Sequence, residues 1–403
     1  MESIQSIVAC ILKHTKTLPS EEVPLMKSVG CIASKDVVAS ADFPSVTISL
    51  IDGFASRYEW LKKASKNSPV KLEITENTAL KSSTADGIAV PAKLFEQLPN
   101  GFDVVFGKGD VLISDQIVTI TRPFEKWENI LPSGSKIHKG DVLLSRGSEI
   151  GYSDVGTASF LGLNSLPVIR KPQVALIFVC PSLGKVKNNE TLNKYLKGIS
   201  NTIAAQILKY CGIVKRYKIL SDFSRTDRMT VSRALKNDLI IFIGECSREN
   251  QGVFINALEK KNVHFQLETK NVYPGSFFSF GTVGKKLIFL LPNDPVGAIL
   301  NFEEFIRPAL LKMRGRKQTR HNEVNARLGK AIYNSKGKIS LIQASVHLKN
   351  GVFYAIPIEK GRFTNLEKSR SINGIIVLPG DVKQVPMGSV MRVQMLRQPD
   401  WNF

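Results

Sequence analysis

The 403-residue chain has no C-x-x-C pair, no H-E-x-x-H, and no P-loop or G-x-G-x-x-G fingerprint. Its five cysteines (Cys10, Cys31, Cys180, Cys211, Cys246) and five histidines are scattered. That distribution suits a reducing compartment and argues against a disulfide frame or a zinc site. No apolar run reaches the roughly 18–20 residues of a membrane helix. The opening segment, Met1 to Leu18, lacks a basic start, a long apolar block and a small-residue cleavage site, so no secretory leader is expected. The chain therefore reads as soluble and cytoplasmic. It has no tandem repeat and no low-complexity tract. With 43% hydrophobic and 22% charged residues, collagen, long coiled coil and whole-chain disorder are excluded. At roughly 150 residues per domain, the length predicts two to four domains.

Basic residues number 55 and acidic residues 35, a net charge of +20. A field of that sign favours anionic partners such as nucleotides, phosphates and oxyanions. The lysines and arginines read as spread along the chain, not gathered into the stripe of a nucleic-acid footprint. The densest cluster, Arg314, Arg316, Lys317 and Arg320, reads as a charged linker.

Ile4, Ile7, Val8, Ile11 and Leu12 recur at helical spacing and predict an amphipathic helix over 3–15. A second short helix is expected near 24–34, and irregular chain over 36–60. From about 68 to 145 the pattern is β, with a helix returning over 149–163. At Gln173-Val-Ala-Leu-Ile-Phe-Val179 a short continuous apolar run marks a strand covered on both faces. Helix (201–210), strand (215–220), helix (226–236), strand (239–243), helix (253–260), strand (286–291) and helix (296–311) follow. This alternation predicts a parallel three-layer α/β unit. From about 338 the chain is β again, with turns at Lys349-Asn-Gly351 and Asn373-Gly374 that suit a small barrel or sandwich.

In a parallel sheet, ligands bind beyond the C-terminal strand ends, against helix N-termini. Those points are Cys180-Pro-Ser-Leu-Gly184, Gly244-Glu-Cys-Ser-Arg248 and Pro292-Asn-Asp-Pro-Val296. Each can offer backbone N–H groups to an anion. Each is also an ordinary polar turn.

Several stretches carry a resemblance that covers nearly the whole chain. Asp42, Pro44 and Ser49-Leu-Ile-Asp-Gly-Phe-Ala55 look like S-x-M-D-G-Y-A. Gly147 to Gly162 followed by Pro167-Val-Ile-Arg-Lys-Pro172 looks like G-x-x-L…L-A-S-L-G-I…V-x-R-x-P. Leu291-Pro-Asn-Asp-Pro-Val-Gly-Ala298 resembles L-P-G-N-P-V-S-A, and Asn373 to Gly388 resembles A-N-G-x-I-x-L-P…G. In this order the stretches resemble the molybdopterin molybdenumtransferases, the MoeA and gephyrin E-domain family. The resemblance implies a multidomain α/β and β fold in four parts. These are an N-terminal helical and dimerisation domain (1–40 with 140–171), an inserted β-rich lid (41–139), a three-layer α/β, MogA-like domain (172–318) and a C-terminal β-barrel (319–403). It further implies a homodimer with the active site between the α/β domain of one subunit and the lid of the other. The implied chemistry inserts molybdate into adenylylated molybdopterin, releases AMP, uses Mg²⁺, and works alongside other cofactor-synthesis proteins.

The residues that match the family's motifs become the candidate site. Asp52 and Asp222 are the candidate catalytic and metal-holding acids. Ser200, Asn201, Gly244, Ser247, Pro274, Gly275, Pro292, Asp294 and Pro295 are the candidate pterin- or nucleotide-binding residues. Asp52 also fits a plain turn before Gly53, and Asp222 a helix cap or surface acid. Other positions depart from the pattern. The S-T-G-D-E-L stretch is Phe178-Val-Cys-Pro-Ser-Leu183, so both acids are missing. The S-G-G-V-S loop is Ile243-Gly-Glu-Cys-Ser247, with Glu245 for a glycine. The K-P-G-K-P lysines are absent from Tyr273-Pro-Gly-Ser-Phe277, and R-R-x-G-E-D is Pro132-Ser-Gly-Ser-Lys136. The groups lost are those that carry charge in the chemistry. Two readings stand: a cofactor-synthesis enzyme with impaired catalysis, and an inactive relative that binds a pterin, a nucleotide or a protein.

Overall fold

The apolar run Gln173–Val179 forms the strand around which the largest unit is built. The computed structural model describes residues 3–78, 85–180, 190–217, 220, 225–244, 248–275, 277–334, 337–358 and 371–397. The 173–179 strand pairs in parallel with Ile213–Arg216 on one side and Leu239–Gly244 on the other. Lys286–Leu291 continues in parallel. Phe278–Val283 and His264–Thr269 finish the six-stranded sheet in antiparallel register. Alternate side chains of the central strand enter opposite cores, as a sheet covered on both faces requires. Val174, Leu176 and Phe178 pack with Leu196, Ile199 and Ile203 of the helix Glu190–Lys209. Ala175, Ile177 and Val179 pack with Val231 and Ala234 of Arg225–Ala234 and with Phe254 and Leu258 of Arg248–Glu259. The three layers are as expected.

The all-parallel expectation fails at one edge. His264–Thr269 alternates exposed and half-buried positions, a weak pattern that belongs to a solvent-facing edge strand. The 201–210 helix extends back to Glu190. The expected 215–220 strand is Ile213–Arg216, with Leu220 making a lone bridge to Val179. The expected 296–311 helix is Pro295–Asn301, a π-helical turn over Phe302–Ile306, then Arg307–Met313.

The lid is a second six-stranded sheet in the order Val104–Phe106, Gly53–Ser56, Gly87–Ala92, Val70–Ile74, Ile117–Ile120, Leu112–Ser114. Gly53–Ser56 lies in the stretch expected to be irregular. It is a strand with all four residues buried, too short to show a period. The C-terminal strands close into a five-stranded barrel. Ile339–Lys349, Val352–Pro357, Glu323–Leu328, Val390–Met395 and Gly374–Leu378 pair in turn, and the last returns to the first. Between Lys349 and Val352, Asn350 (φ 50°) and Gly351 (φ 75°) make the tight hairpin turn that Asn-Gly favours.

A smaller unit combines the antiparallel strands Ser20–Pro24 and Ser165–Ile169 with the short helix Leu25–Ser28 and the helix Tyr152–Phe160. Arg170 leads out of it and forms a two-pronged pair with Asp238, at 2.7 and 2.6 Å, at the foot of the α/β sheet. Burial pushes the Asp238 carboxyl up, but the Arg170 hydrogen bonds and the Gln173 N–H outweigh that and hold it below its ordinary range. Arg314 donates to the carbonyls of Gly30 and Tyr210 and so ties the same unit to the α/β body.

The N-terminal helix, Ile4–His14, begins at a Ser3–Ser6 capping box. Its apolar face joins the α/β core of its own chain, so no second subunit is needed to cover it. Ile7 and Ile11 are fully buried in the cluster that holds Phe280, Phe305 and Ala309. Lys312 closes the contact by donating to the Leu12 carbonyl at 2.7 Å. Truncating Ile7 to alanine should therefore lower stability by about 3 kcal/mol. Urea unfolding of the variant and the parent measures this. A change under about 0.5 kcal/mol, the range of surface substitutions, would mean that the helix is not packed on the core.

Candidate functional site

Three of the four parallel strands end in step: Val179 is level with Gly244, and Ile243 with Leu291, while Ile213–Arg216 stops level with Leu176. Their C-terminal ends form one rim, where an anion meets loop N–H groups and helix starts. At the first strand end the Cys180 N–H donates to Leu220 O at 2.9 Å, and its side chain is buried. At the second, Gly244 has φ 143°, and a Cβ there would lie 2.0 Å from the Val179 carbonyl oxygen. Only glycine lets this strand pass so close to its neighbour.

The third strand end is the most built. Asp294 caps the Pro295–Asn301 helix by accepting from the Gly297 N–H at 2.6 Å, with Pro295 at the first helical position. Pro274 and Gly275 pack directly against this turn. A Cβ on Gly275 (φ 118°) would meet Pro292 Cγ at 3.1 Å, and one on Gly297 would meet the Pro274 carbonyl at 3.0 Å. Tyr195, on the Glu190–Lys209 helix, donates its hydroxyl to the Asn293 carbonyl at 2.8 Å. Burial raises the Asp294 carboxyl above its ordinary value, and the Gly297 N–H only partly offsets this. Burial and the neighbouring Asp294 raise the Tyr195 phenol in the same way.

The structure thus brings Pro274, Gly275, Pro292, Asp294 and Pro295 together, on the same rim as Gly244. It does not bring Asn201 there. Asn201 is exposed and lies about 200° around its helix from buried Ile199 and Ile203. Ser200 is half-buried, ten residues into the helix and so about 15 Å from its start, not at a cap. Asp222, Glu245 and Ser247 lie outside the described residues. Asp52 belongs to the lid, where its Oδ1 accepts from the Leu94 N–H at 2.9 Å. Among the described residues no three His, Cys, Asp or Glu side chains converge as a metal site.

A 450 Å³ cavity lies elsewhere, between Ser3–Gln5 and the barrel residues Ile339, Val377 and Arg392. The larger surprise is a buried polar cluster next to it, on the π-helical turn. Glu303, Glu304 and Arg307 are 3%, 4% and 5% exposed. Sequence reasoning passed over them. Their signal was a Glu-Glu pair inside a helix that is apolar all round, where charge has no solvated face to occupy.

Residues 2–162 match the family model described as the MoeA N-terminal region, domains I and II. The chain is 26% identical over 400 residues to the molybdopterin molybdenumtransferase of Staphylococcus epidermidis, covering 97% of this chain and 94% of that protein. It is 24% identical to the protein of that name from Staphylococcus aureus strain COL, with the same coverage. The crystal structure of a molybdopterin biosynthesis MoeA protein from Pyrococcus horikoshii superposes with a TM-score of 0.76 at 22% identity, over 99% of this chain and 100% of that one. Residues 2–162 thus match the MoeA N-terminal region, and the chain as a whole is similar to MoeA proteins and shares their fold. Within a MoeA-like fold, what this chain retains at the rim is mostly glycine and proline. Those residues set the backbone of the loops and supply no charge.

Gly244→Ala tests that division. The added methyl meets backbone, which cannot rotate away, so the variant should lose at least about 3 kcal/mol of stability or fail to accumulate as folded protein. A thermal melt within a degree or two of the parent would show that this strand end is looser than described.

Proposed function

We propose that the chain acts in molybdenum cofactor biosynthesis, at the step that inserts molybdate into adenylylated molybdopterin, with impaired catalysis. The full-length relationship to proteins named molybdopterin molybdenumtransferase carries this reading. Charge supports it. Residues 1–170 hold 18 basic and 19 acidic side chains, a net charge of −1. Residues 171–403 hold 37 and 16, a net charge of +21. The positive charge is therefore not spread along the chain, as first expected. The whole excess sits in the half that bears the rim, where an anionic pterin, nucleotide or oxyanion would be drawn in.

The impairment follows from what stands at the strand ends. The two acids of S-T-G-D-E-L fall at Pro181 and Ser182, which lie outside the described residues, and three converging acid or imidazole donors are absent among the described residues. From the described side chains alone, an oxygen exchanging at molybdenum, or a phosphate leaving, gains little charge stabilisation. The same observation favours the second reading, an inactive relative that holds a pterin or nucleotide or serves as a protein scaffold. A molybdenum-insertion assay with adenylylated molybdopterin and molybdate separates the two. Slow turnover beside an intact relative is expected. Turnover equal to that relative would overturn the impairment, and none at all with ligand still bound would favour the scaffold.

The site is proposed to be completed in a homodimer by the lid of a second subunit, which would carry Asp52. With the N-terminal helix already covered, support comes from another surface. Met26, Tyr152 and Phe160, on two short helices that touch, are 79%, 87% and 64% exposed. Apolar groups this bare suit a partner surface. Light scattering at micromolar concentration should give about 89 kDa, twice the 44.6 kDa chain. The double variant Tyr152→Glu with Phe160→Glu should shift the mass toward one chain. A parent of single-chain mass would exclude the dimer.

A further inference from the structure

Beside Glu303 stands a second buried carboxyl that the proposed chemistry does not use. Glu304 is 4% exposed. Its Oε1 has no hydrogen-bond partner, and its Oε2 accepts only a long 3.5 Å bond from Gln394 Nε2. It lines a 180 Å³ cavity where three parts of the chain meet. The N-terminal helix contributes apolar side chains and Gln5, with no charge. The turn itself contributes Glu303, and the helix that follows it contributes Arg307. The segment entering the barrel contributes Arg320, His321 and Glu323, and the last barrel strand contributes Gln394.

None of these gives Glu304 a cation of its own. Arg307 lies 3.7 Å from Glu303, which also accepts from Tyr210 and Gln206 at 2.7 and 2.8 Å. His321 is held neutral, its imidazole pushed down to about 3, first by burial and then by Arg307 and Lys209. Arg320 and Glu323 lie toward solvent. Arg392 lines the adjoining cavity.

We infer that Glu304 is a proton-binding site at this three-way seam, and that losing its proton loosens the N-terminal helix and the barrel from the α/β body. As the neutral acid, Glu304 sits among apolar side chains at little cost. When its proton passes to solvent, the carboxylate is buried, unpaired and beside Glu303. Water entering the cavity is then the way to solvate it. Burial pushes the carboxyl up to about 7, against 4.5 for a free glutamate. The folded state therefore holds the proton more tightly than the unfolded state. The stabilisation is complete below about pH 4.5 and is lost as pH rises through 7. In that window the unfolding constant grows by up to about tenfold per pH unit from this group.

The test uses the full-length protein and Glu304→Gln, which keeps the shape and neutrality of the acid. Hydrogen exchange, corrected for its intrinsic pH dependence, is followed at pH 6 and pH 8 over residues 4–14, 323–328 and 390–395. Protection in the parent should fall about tenfold or more between the two, and protection in Glu304→Gln should stay level. The urea midpoint of the parent, read from pH 5 to 8, needs no variant and should decline over the same window. A parent with flat protection and a flat midpoint overturns the inference. So does an equal decline in Glu304→Gln.

Discussion

The carboxylate of Glu303 is the point to which the remaining parts of the molecule are tied. It accepts from Gln206 of the Glu190–Lys209 helix and from Tyr210 just after it, and stands 3.7 Å from Arg307 one turn along its own chain. His321, at the entrance to the barrel, is 3.5 Å away. Arg307 in turn donates to the Thr319 carbonyl at 3.0 Å. A buried pair of this kind adds little net stability over well-packed apolar residues, yet removing one partner costs about 3–5 kcal/mol. The energy of the fold comes from the apolar layers on either side of the central sheet. The Glu303 network instead fixes which helix lies against which and where the barrel starts. The turn around it is π-helical, a form that proteins often keep where a side chain must be aimed.

That division between packing and aiming also explains the rim. Gly244 and Gly275 stand where an added Cβ would meet the Val179 backbone or the Pro292 ring. They are under constraint from the fold whether or not chemistry takes place beside them. Charged groups at a strand end are under no such packing constraint. On the proposed reading of impaired catalysis, a rim with these glycines and few acids is what results when folding is maintained and the demand for charge is relaxed.

Much of this was legible in the sequence. The run 173–179 announced a strand covered on both faces, and the loops after 179, 243 and 291 fell on one rim because parallel strands share a direction. The Asn350-Gly351 turn announced its hairpin. What stayed hidden had physical causes. His264–Thr269 alternates like any exposed segment, so an antiparallel edge cannot be told from a loop. The stretch 190–200 gave a helix too polar to stand out before its neighbours were known. The period of the N-terminal helix showed that it had a face to bury but not what would bury it, since that surface lies 300 residues away. Burial of Glu303 and Glu304 could be read only from the unbroken apolar setting around them. For Asp222 and Ser247 the sequence remains the sole guide.

The placement of the N-terminal helix governs how the chain is made. Lys312 and Leu12, which meet in the fold, are 300 residues apart. At about 5–20 residues per second, the helix leaves the ribosome roughly 15–60 seconds before the surface that covers it exists. Through that interval Ile4, Ile7 and Ile11 have no native place to go, while the lid, which needs only residues 53–120, can already close on itself. The helix is therefore made early and packed late, and a nascent chain of this protein carries a bare apolar helix until the 300 residues that separate it from its cover have been added.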